Sequence, residues 1–142
     1  MAAKKIHKLI YNQDYSFSLF GITSDEKDYK LIWDINKSLG WNLERNENYH
    51  FFNRKTGIDN QFPVFAFTDE DSYLEYKLIA NKIDGFSLIE ELRNLDYLLI
   101  VFDESECEDL SVIPEKLKKI DSIRAVFSID PSKLKEKERL VF

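Results

Sequence analysis

The sequence predicts an α+β fold, a single two-layer domain in which helices pack on one face of a mixed, mainly antiparallel sheet. Its length of 142 residues suits one domain with its own core. Hydrophobic residues make up 44% of the chain, enough to offset the entropy of ordering it. The predicted elements follow one another as strand, helix, a run of strands, and then strand, helix, strand.

The first strand and the first helix are predicted from their periodicity. Aromatic and aliphatic residues alternate with serines over residues 15–19, which is the period of a half-buried strand. Thr23 and Glu26 have the spacing of a capping box, and apolar residues then recur at helical spacing over about residues 25–39. Gly40 suits the left-handed residue that closes such a helix.

The middle of the chain is predicted to form strands. Alternation over residues 41–45 starts one of them, and residues 54–60 have the composition of a loop. Residues 62–68 and 73–80 are predicted to pair as a hairpin around a polar turn. Asp84-Gly85 is a further turn signal.

The last third of the chain begins with residues 97–102, an uninterrupted apolar run typical of a central strand buried on both faces. A helix is predicted within residues 108–121, with its firm part at 115–120, and a strand at 123–129. This spacing predicts a right-handed parallel pair of strands. Asp130-Pro131 offers a cap and a first-position proline for a short final helix.

The aromatic residues admit several interpretations. Eight of them lie between residues 49 and 76, and most aromatics in strands belong to a core. A dimer patch, a ligand pocket and a platform for stacking bases are the alternatives. Trp33 and Trp41, at the end of the first helix, are predicted to be packing residues.

The composition argues against several functional classes. The net charge of −6 argues against nucleic-acid binding, which relies on basic side chains. Cys107 lies among carboxylates, which disfavour a reactive thiolate. His7 and His50 are the only histidines and cannot supply a histidine-rich zinc site. We therefore predict no catalytic residue, no metal, no cofactor and no enzymatic activity.

The expected location is the cytoplasm. A single cysteine, Cys107, forms no intramolecular disulfide and favours a reducing compartment. Residues 1–8 lack the apolar run of a signal peptide. The longest apolar stretch, residues 97–102, is too short to cross a bilayer, so we predict no membrane contact.

The segment Ile89-Glu90-Glu91-Leu92-Arg93-Asn94-Leu95-Asp96-Tyr97 resembles the signature of the IPExxxVDY family, and we call it the signature segment. The matching positions are Ile89, Glu91, Asp96 and Tyr97. Glu90 replaces the proline of the signature, and Leu95 replaces its valine. Residues 27–45 and 127–142 also look like this family, an uncharacterised family of Bacteroidota. The resemblance implies no activity, and its members often neighbour genes for ribonuclease III and pyruvate kinase.

The leading functional hypothesis is a small non-enzymatic module for protein–protein contacts, with an unidentified protein partner. A homodimer through an aromatic sheet face is one candidate form. In this hypothesis Glu91, Asp96 and Tyr97 present a polar patch to the partner. The structural alternative makes Glu91 and Asp96 capping or surface groups and Tyr97 the first residue of the buried strand. A ligand-sensing regulatory domain and an RNA-associated housekeeping factor are the other functional candidates.

Overall fold

The computed structural model of the protein describes residues 17–103 and 110–140. The interpretations of His7 and Cys107 concern residues outside these ranges. Within them, the strands and helices confirm the predicted α+β class and the mainly antiparallel sheet.

The described residues form ten strands, two α-helices and three short 3-10 helices. The strands are β1 (Phe17–Thr23), β2 (Glu44–Arg45), β3 (Tyr49–Asn53), β4 (Ile58–Phe62), β5 (Val64–Thr68), β6 (Glu75–Ala80), β7 (Lys82–Ile83), β8 (Phe86–Ser87), β9 (Tyr97–Phe102) and β10 (Ala125–Ile129). The α-helices are α1 (Asp28–Leu39) and α2 (Val112–Leu117). The 3-10 helices are Glu90–Leu92, Pro131–Lys133 and Lys137–Leu140.

Six strands form one sheet in the order β10-β1-β9-β6-β5-β2, and every neighbouring pair is antiparallel. β9 lies between β1 and β6 with both of its faces buried, as its apolar sequence predicts. The predicted hairpin around residues 69–72 is confirmed as β5–β6. The turn between β7 and β8 has positive φ at Asp84 (49°) and Gly85 (80°), which fits the predicted Asp-Gly turn.

The predicted parallel pair of neighbouring strands is wrong. β9 and β10 run in the same direction, but β1 lies between them and pairs antiparallel with both. The connection through α2 therefore crosses over one strand instead of joining two neighbours. α2 itself, Val112–Leu117, begins and ends earlier than the predicted firm part at residues 115–120.

The face of the sheet that carries α1 and α2 buries the larger of two hydrophobic clusters. Leu31 and Ile35 of α1 and Leu117 of α2 pack there with sheet residues that include Leu78 and Leu99. Both α-helices thus lie on one face, as predicted. We call this larger hydrophobic cluster the helix-side cluster.

The opposite face is covered by hairpins and by the 3-10 helices. Phe62 of β4, Ile89, Leu134 and Leu140 all belong to a second cluster that includes Ile100 of β9. Because Ile100 and its neighbour Leu99 point to opposite faces, β9 contributes to both clusters. This layer consists of hairpins and 3-10 helices, without an α-helix, and it is additional to the two predicted layers.

The capping box predicted at Thr23 and Glu26 is wrong. Thr23 ends β1, and its carbonyl oxygen accepts a hydrogen bond from the Arg124 N–H at 2.8 Å. The Ser24 hydroxyl instead accepts from the Glu26 N–H at 3.1 Å, and α1 begins only at Asp28. The strand ladder thus holds Thr23 away from the start of the helix.

The end of α1 matches the prediction. Gly40 is left-handed, with φ 71°, and its N–H donates to the carbonyl oxygen of Asn36 at 2.9 Å. The Asn36 side chain then bonds the backbone carbonyl and N–H of Leu43, at 3.1 and 2.9 Å. Trp41 packs on Tyr76 with ring centroids 4.1 Å apart, which confirms its predicted packing role.

Candidate functional site

The signature segment connects the β7–β8 hairpin to β9, and one buried amide side chain holds it in place. The Asn81 Nδ2 donates to the carbonyl oxygens of Leu92 at 2.8 Å and Leu95 at 2.9 Å. The Asn81 Oδ1 accepts from the Ile89 N–H at 3.0 Å. Since Asn81 is fully buried, these bonds supply the partners that water would otherwise provide.

The apolar residues of the signature segment, Ile89, Leu92 and Leu95, recur at three-residue spacing and rest on the core. Ile89 and Leu95 are buried, and Leu92 packs against the same cluster at the end of the 3-10 helix Glu90–Leu92. A helical turn therefore forms here although Glu90 stands where the family signature has proline.

Tyr97 begins β9 and packs in the helix-side cluster with 8% of its surface exposed. Its hydroxyl donates to the carbonyl oxygen of Glu26 at 2.8 Å. Burial, assisted by the nearby charges of Asp28, Asp96 and Glu26, raises the pKa of Tyr97 to about 12. The hydroxyl consequently stays protonated and keeps this bond into the alkaline range.

Asp96, directly before β9, bonds the same stretch of chain as Tyr97. Its Oδ2 accepts from the Ser24 N–H at 2.9 Å, and its Oδ1 lies 3.3 Å from the Lys82 Nζ. Asp96 and Tyr97 thus hold Ser24 and Glu26, which lie in the connection from β1 to α1. We call residues 24–27 the α1 entry loop.

Glu91 bonds a different part of the molecule. Its Oε1 accepts from the Lys135 N–H at 2.6 Å. Lys135 follows Leu134, which belongs to the cluster on the face opposite Tyr97. Glu91 and Tyr97 therefore make their contacts on opposite sides of the sheet, and the three predicted interaction residues each bond within the chain.

Two serines extend the contacts of the α1 entry loop to α1 itself. The Ser24 hydroxyl donates to the carbonyl oxygen of Ser122 at 2.5 Å, and the Ser122 hydroxyl donates to the Asp34 Oδ2 at 2.7 Å. The bonds from Ser122 and Lys30 lower the pKa of Asp34. α1 is thereby fixed at its entry and at its middle.

The outer face of α1 exposes two aromatic side chains. Tyr29 and Trp33 are one helical turn apart and are 68% and 57% exposed. The ammonium groups of Lys30 and Lys37 lie 5.3 and 4.8 Å from the centroid of the indole ring. The predicted packing role of Trp33 is wrong, because Leu31, Ile32 and Ile35 are the residues of α1 that are buried. We call Tyr29, Lys30, Trp33 and Lys37 the α1 patch.

The aromatic residues between positions 49 and 76 are divided between core and surface. Phe62, Phe65 and Tyr76 are buried, as the core interpretation predicts. Because they are buried, these three side chains are not accessible for stacking bases or for contact with a second copy. Phe52 and Tyr73 are exposed, but they lie on two different hairpins.

A cleft of about 550 Å³ lies beside the β3–β4 hairpin. Arg139 stands 4.0 Å over the Phe51 ring in its wall and pairs with the Glu136 Oε2 at 3.0 Å. The Glu136 Oε1 accepts from the Glu90 N–H at 2.9 Å. A ligand pocket needs polar groups that converge on a ligand, whereas the Arg139 and Glu136 side chains bond each other.

Residues 17–103 and 110–140 contain no group of three or more His, Cys, Asp or Glu side chains arranged to hold a metal ion. None of the helices described there is long and apolar enough to cross a membrane.

Comparisons with known proteins add no function. No family model, no curated protein and no solved structure matches the chain. The geometry defines the class of molecule as a small α+β domain with a fixed, aromatic outer helix face. The resemblance to the IPExxxVDY family stays a prediction.

Proposed function

We propose that the protein is a non-enzymatic protein–protein interaction module and that the α1 patch is its contact surface. The observation that carries the proposal is the exposure of Tyr29 and Trp33, one turn apart on a helix whose entry and middle are fixed. Aromatic residues of this kind supply much of the energy at protein interfaces. A side chain held on a rigid helix also loses little further freedom on binding.

The charges of the α1 patch indicate the chemistry of the partner. Lys30 and Lys37 place ammonium groups beside the Trp33 ring, and Lys30 also pairs with the Asp34 Oδ1 at 2.9 Å. The partner that fits offers an apolar recess with a carboxylate for Lys37. A second copy of the chain fits this patch less well, since a symmetric contact would bring like-charged lysines together.

The signature segment has a positioning role in this proposal. Asp96 and Tyr97 hold the α1 entry loop, and so fix the direction in which α1 presents Trp33. They stabilise the contact surface through the α1 entry loop and do not themselves touch the partner.

The test starts by capturing partners from the native cell and continues with the purified pair. The double variant Tyr29→Ala, Trp33→Ala is expected to weaken binding about 30-fold or more, because loss of an interface hot spot costs about 2 kcal/mol or more. Tyr73→Asn is the matched control. It removes an exposed aromatic on another turn, and asparagine tolerates the positive φ of 61° found there.

Fluorescence gives a second measurement. In the variant Trp41→Phe the only indole left is that of Trp33, since the sequence has 2 tryptophans. Partner binding is expected to shift its emission to shorter wavelength and to protect it from acrylamide. Equal affinity of the double variant and the wild type, with no change at Trp33, would overturn the α1 patch as the contact surface. Retention on RNA that modest salt abolishes would support the RNA-associated alternative instead.

A further inference from the structure

The two edges of the six-stranded sheet differ in how they are protected. One edge is β2, which has only two residues, Glu44 and Arg45, both charged and exposed. Short and charged strands are the usual means by which a sheet edge avoids pairing with another chain. The other edge, among the residues that the structure describes, is β10, which is neither as short nor charged.

β10 has five residues, Ala125-Val126-Phe127-Ser128-Ile129, with no charge, proline or glycine among them. Within the described ranges, β1 is the one strand that pairs with it, on one side. Phe127, at its centre, is 49% exposed. The backbone N–H and C=O groups on the open side of an edge strand are a template for strand addition, and an exposed apolar side chain at its centre adds surface that the contact can bury.

We propose that β10 pairs antiparallel with β10 of a second copy of the chain, with the two-fold axis at Phe127, so that one continuous sheet runs through both copies. In this register Phe127 lies opposite its own copy, Val126 opposite Ser128, and Ala125 opposite Ile129. The occupant is a second copy because the strand is complementary to itself in this register.

The residues that flank β10 provide the charge complementarity. Arg124 precedes the strand and Asp130 follows it, and the two positions are equally distant from Phe127. An antiparallel pair centred on Phe127 therefore sets Arg124 of each copy opposite Asp130 of the other. A parallel pair or a shifted register loses both matches.

Both flanking side chains are accessible for this contact. The Arg124 guanidinium already pairs with Asp25 at 2.8 Å, but its side chain is 66% exposed and has further donors. Asp130 accepts from the Ser132 N–H at 3.0 Å and from its hydroxyl at 2.7 Å through one oxygen, Oδ1. Both of these bonds use Oδ1, so that the second oxygen, Oδ2, can accept from a cation of the other copy.

Cross-linking tests the register directly. Residues directly opposite in an antiparallel pair have Cα atoms about 4.5–5.5 Å apart, within the range for a disulfide. In a Cys107→Ser background, Phe127→Cys is thus expected to form a covalent dimer on mild oxidation. Ser128→Cys is the control, because its two copies would be about 8 Å apart in this register. Equal cross-linking of both variants would overturn the register.

Sedimentation tests the dimer itself, with the full chain at concentrations up to about 1 mM so that weak association is detected. The wild type is expected to dimerise, and Phe127→Lys, which sets two ammonium groups against each other on the axis, to remain monomeric. Phe52→Lys is the control, because Phe52 is a similarly exposed phenylalanine on another strand. Arg124→Asp is expected to weaken the dimer, and addition of Asp130→Arg to restore it.

Two results would overturn the proposal. One is a wild type that stays monomeric over the whole range, and the other is a dimer that Phe127→Lys leaves intact. The test is separate from that of the α1 patch, since the variant Tyr29→Ala, Trp33→Ala leaves β10 unchanged and should dimerise normally.

Discussion

Removal of the Asn81 side chain is the perturbation that best tests how the signature segment is held. Asn81→Ala deletes two donated bonds, to the carbonyl oxygens of Leu92 and Leu95, and one accepted bond, from the Ile89 N–H. The backbone around the segment is unchanged by the substitution. The three backbone groups would then lack their side-chain partner.

The expected cost follows from the burial of those groups. A hydrogen bond contributes about 1 kcal/mol net, and a buried group left without a partner costs about 1–3 kcal/mol. Asn81 and Ile89 are fully buried and Leu95 nearly so, and water therefore reaches these groups poorly. We expect Asn81→Ala to lower the free energy of unfolding by about 3–5 kcal/mol, a large share of the stability of a typical domain.

Urea unfolding at neutral pH measures this loss, with two other asparagines as graded controls. Asn36 makes two side-chain bonds to Leu43 in a half-buried site, and its substitution by alanine is expected to cost about 1–2 kcal/mol. Asn48 bonds Gln61 on the surface, and its loss is expected to change stability by no more than about 0.5 kcal/mol.

The ranking Asn81 above Asn36 above Asn48 is the critical result. If Asn81→Ala costs less than about 1 kcal/mol, or no more than Asn48→Ala, the three bonds of Asn81 are not what holds the signature segment. If Asn81→Ala is too unstable to measure in urea, the milder substitution Asn81→Ser takes its place. The variants are then ranked by their thermal unfolding.

Two further changes probe the neighbouring contacts. Tyr97→Phe removes the bond to Glu26 and is expected to cost about 1 kcal/mol at pH 7. Because the folded pKa is about 12 and the ordinary value is 10.0, the Tyr97 contribution is complete below pH 10 and is lost as pH rises from 10 to 12. The measured gap between wild type and variant should therefore narrow over that interval. Gly21→Ala places a Cβ in overlap with Leu95 Cδ1, at an expected cost of about 1–3 kcal/mol. Leu95→Val should relieve part of that cost in a double-mutant cycle, and strictly additive effects would contradict the overlap.

Sequence periodicity predicts those elements that are determined by residues close together in the chain. The burial pattern of β9 and the left-handed Gly40 follow from residues within those segments themselves. The exposure of Trp33 was also within reach of the sequence. Trp33 lies two positions after Leu31, which is about 200° around a helix, so a buried Leu31 and Ile35 direct the indole outward.

Features that depend on residues far apart in the chain leave no periodic pattern in the sequence. Asn81 bonds residues 8 to 14 positions further along the chain, and a single asparagine before a turn resembles any surface asparagine. The placement of β1 between β9 and β10 likewise depends on pairing across most of the chain. Hydrogen bonds and strand neighbours of this range are selected by the whole core, and short patterns do not encode them.

Asp96 and Tyr97 either stabilise α1 or bind the partner directly, and substitutions distinguish these two roles. Asp96 and Tyr97 are adjacent, and they bond Ser24 and Glu26 of the α1 entry loop. Two such bonds fix the direction of the loop, whereas a single bond would allow it to rotate. If these residues only support α1, Asp96→Ala should lower stability and partner affinity together. Trp33→Ala should lower partner affinity with stability nearly unchanged, because its side chain is mostly exposed. A loss of affinity in Asp96→Ala that exceeds its loss of stability would instead assign Asp96 to the contact surface itself.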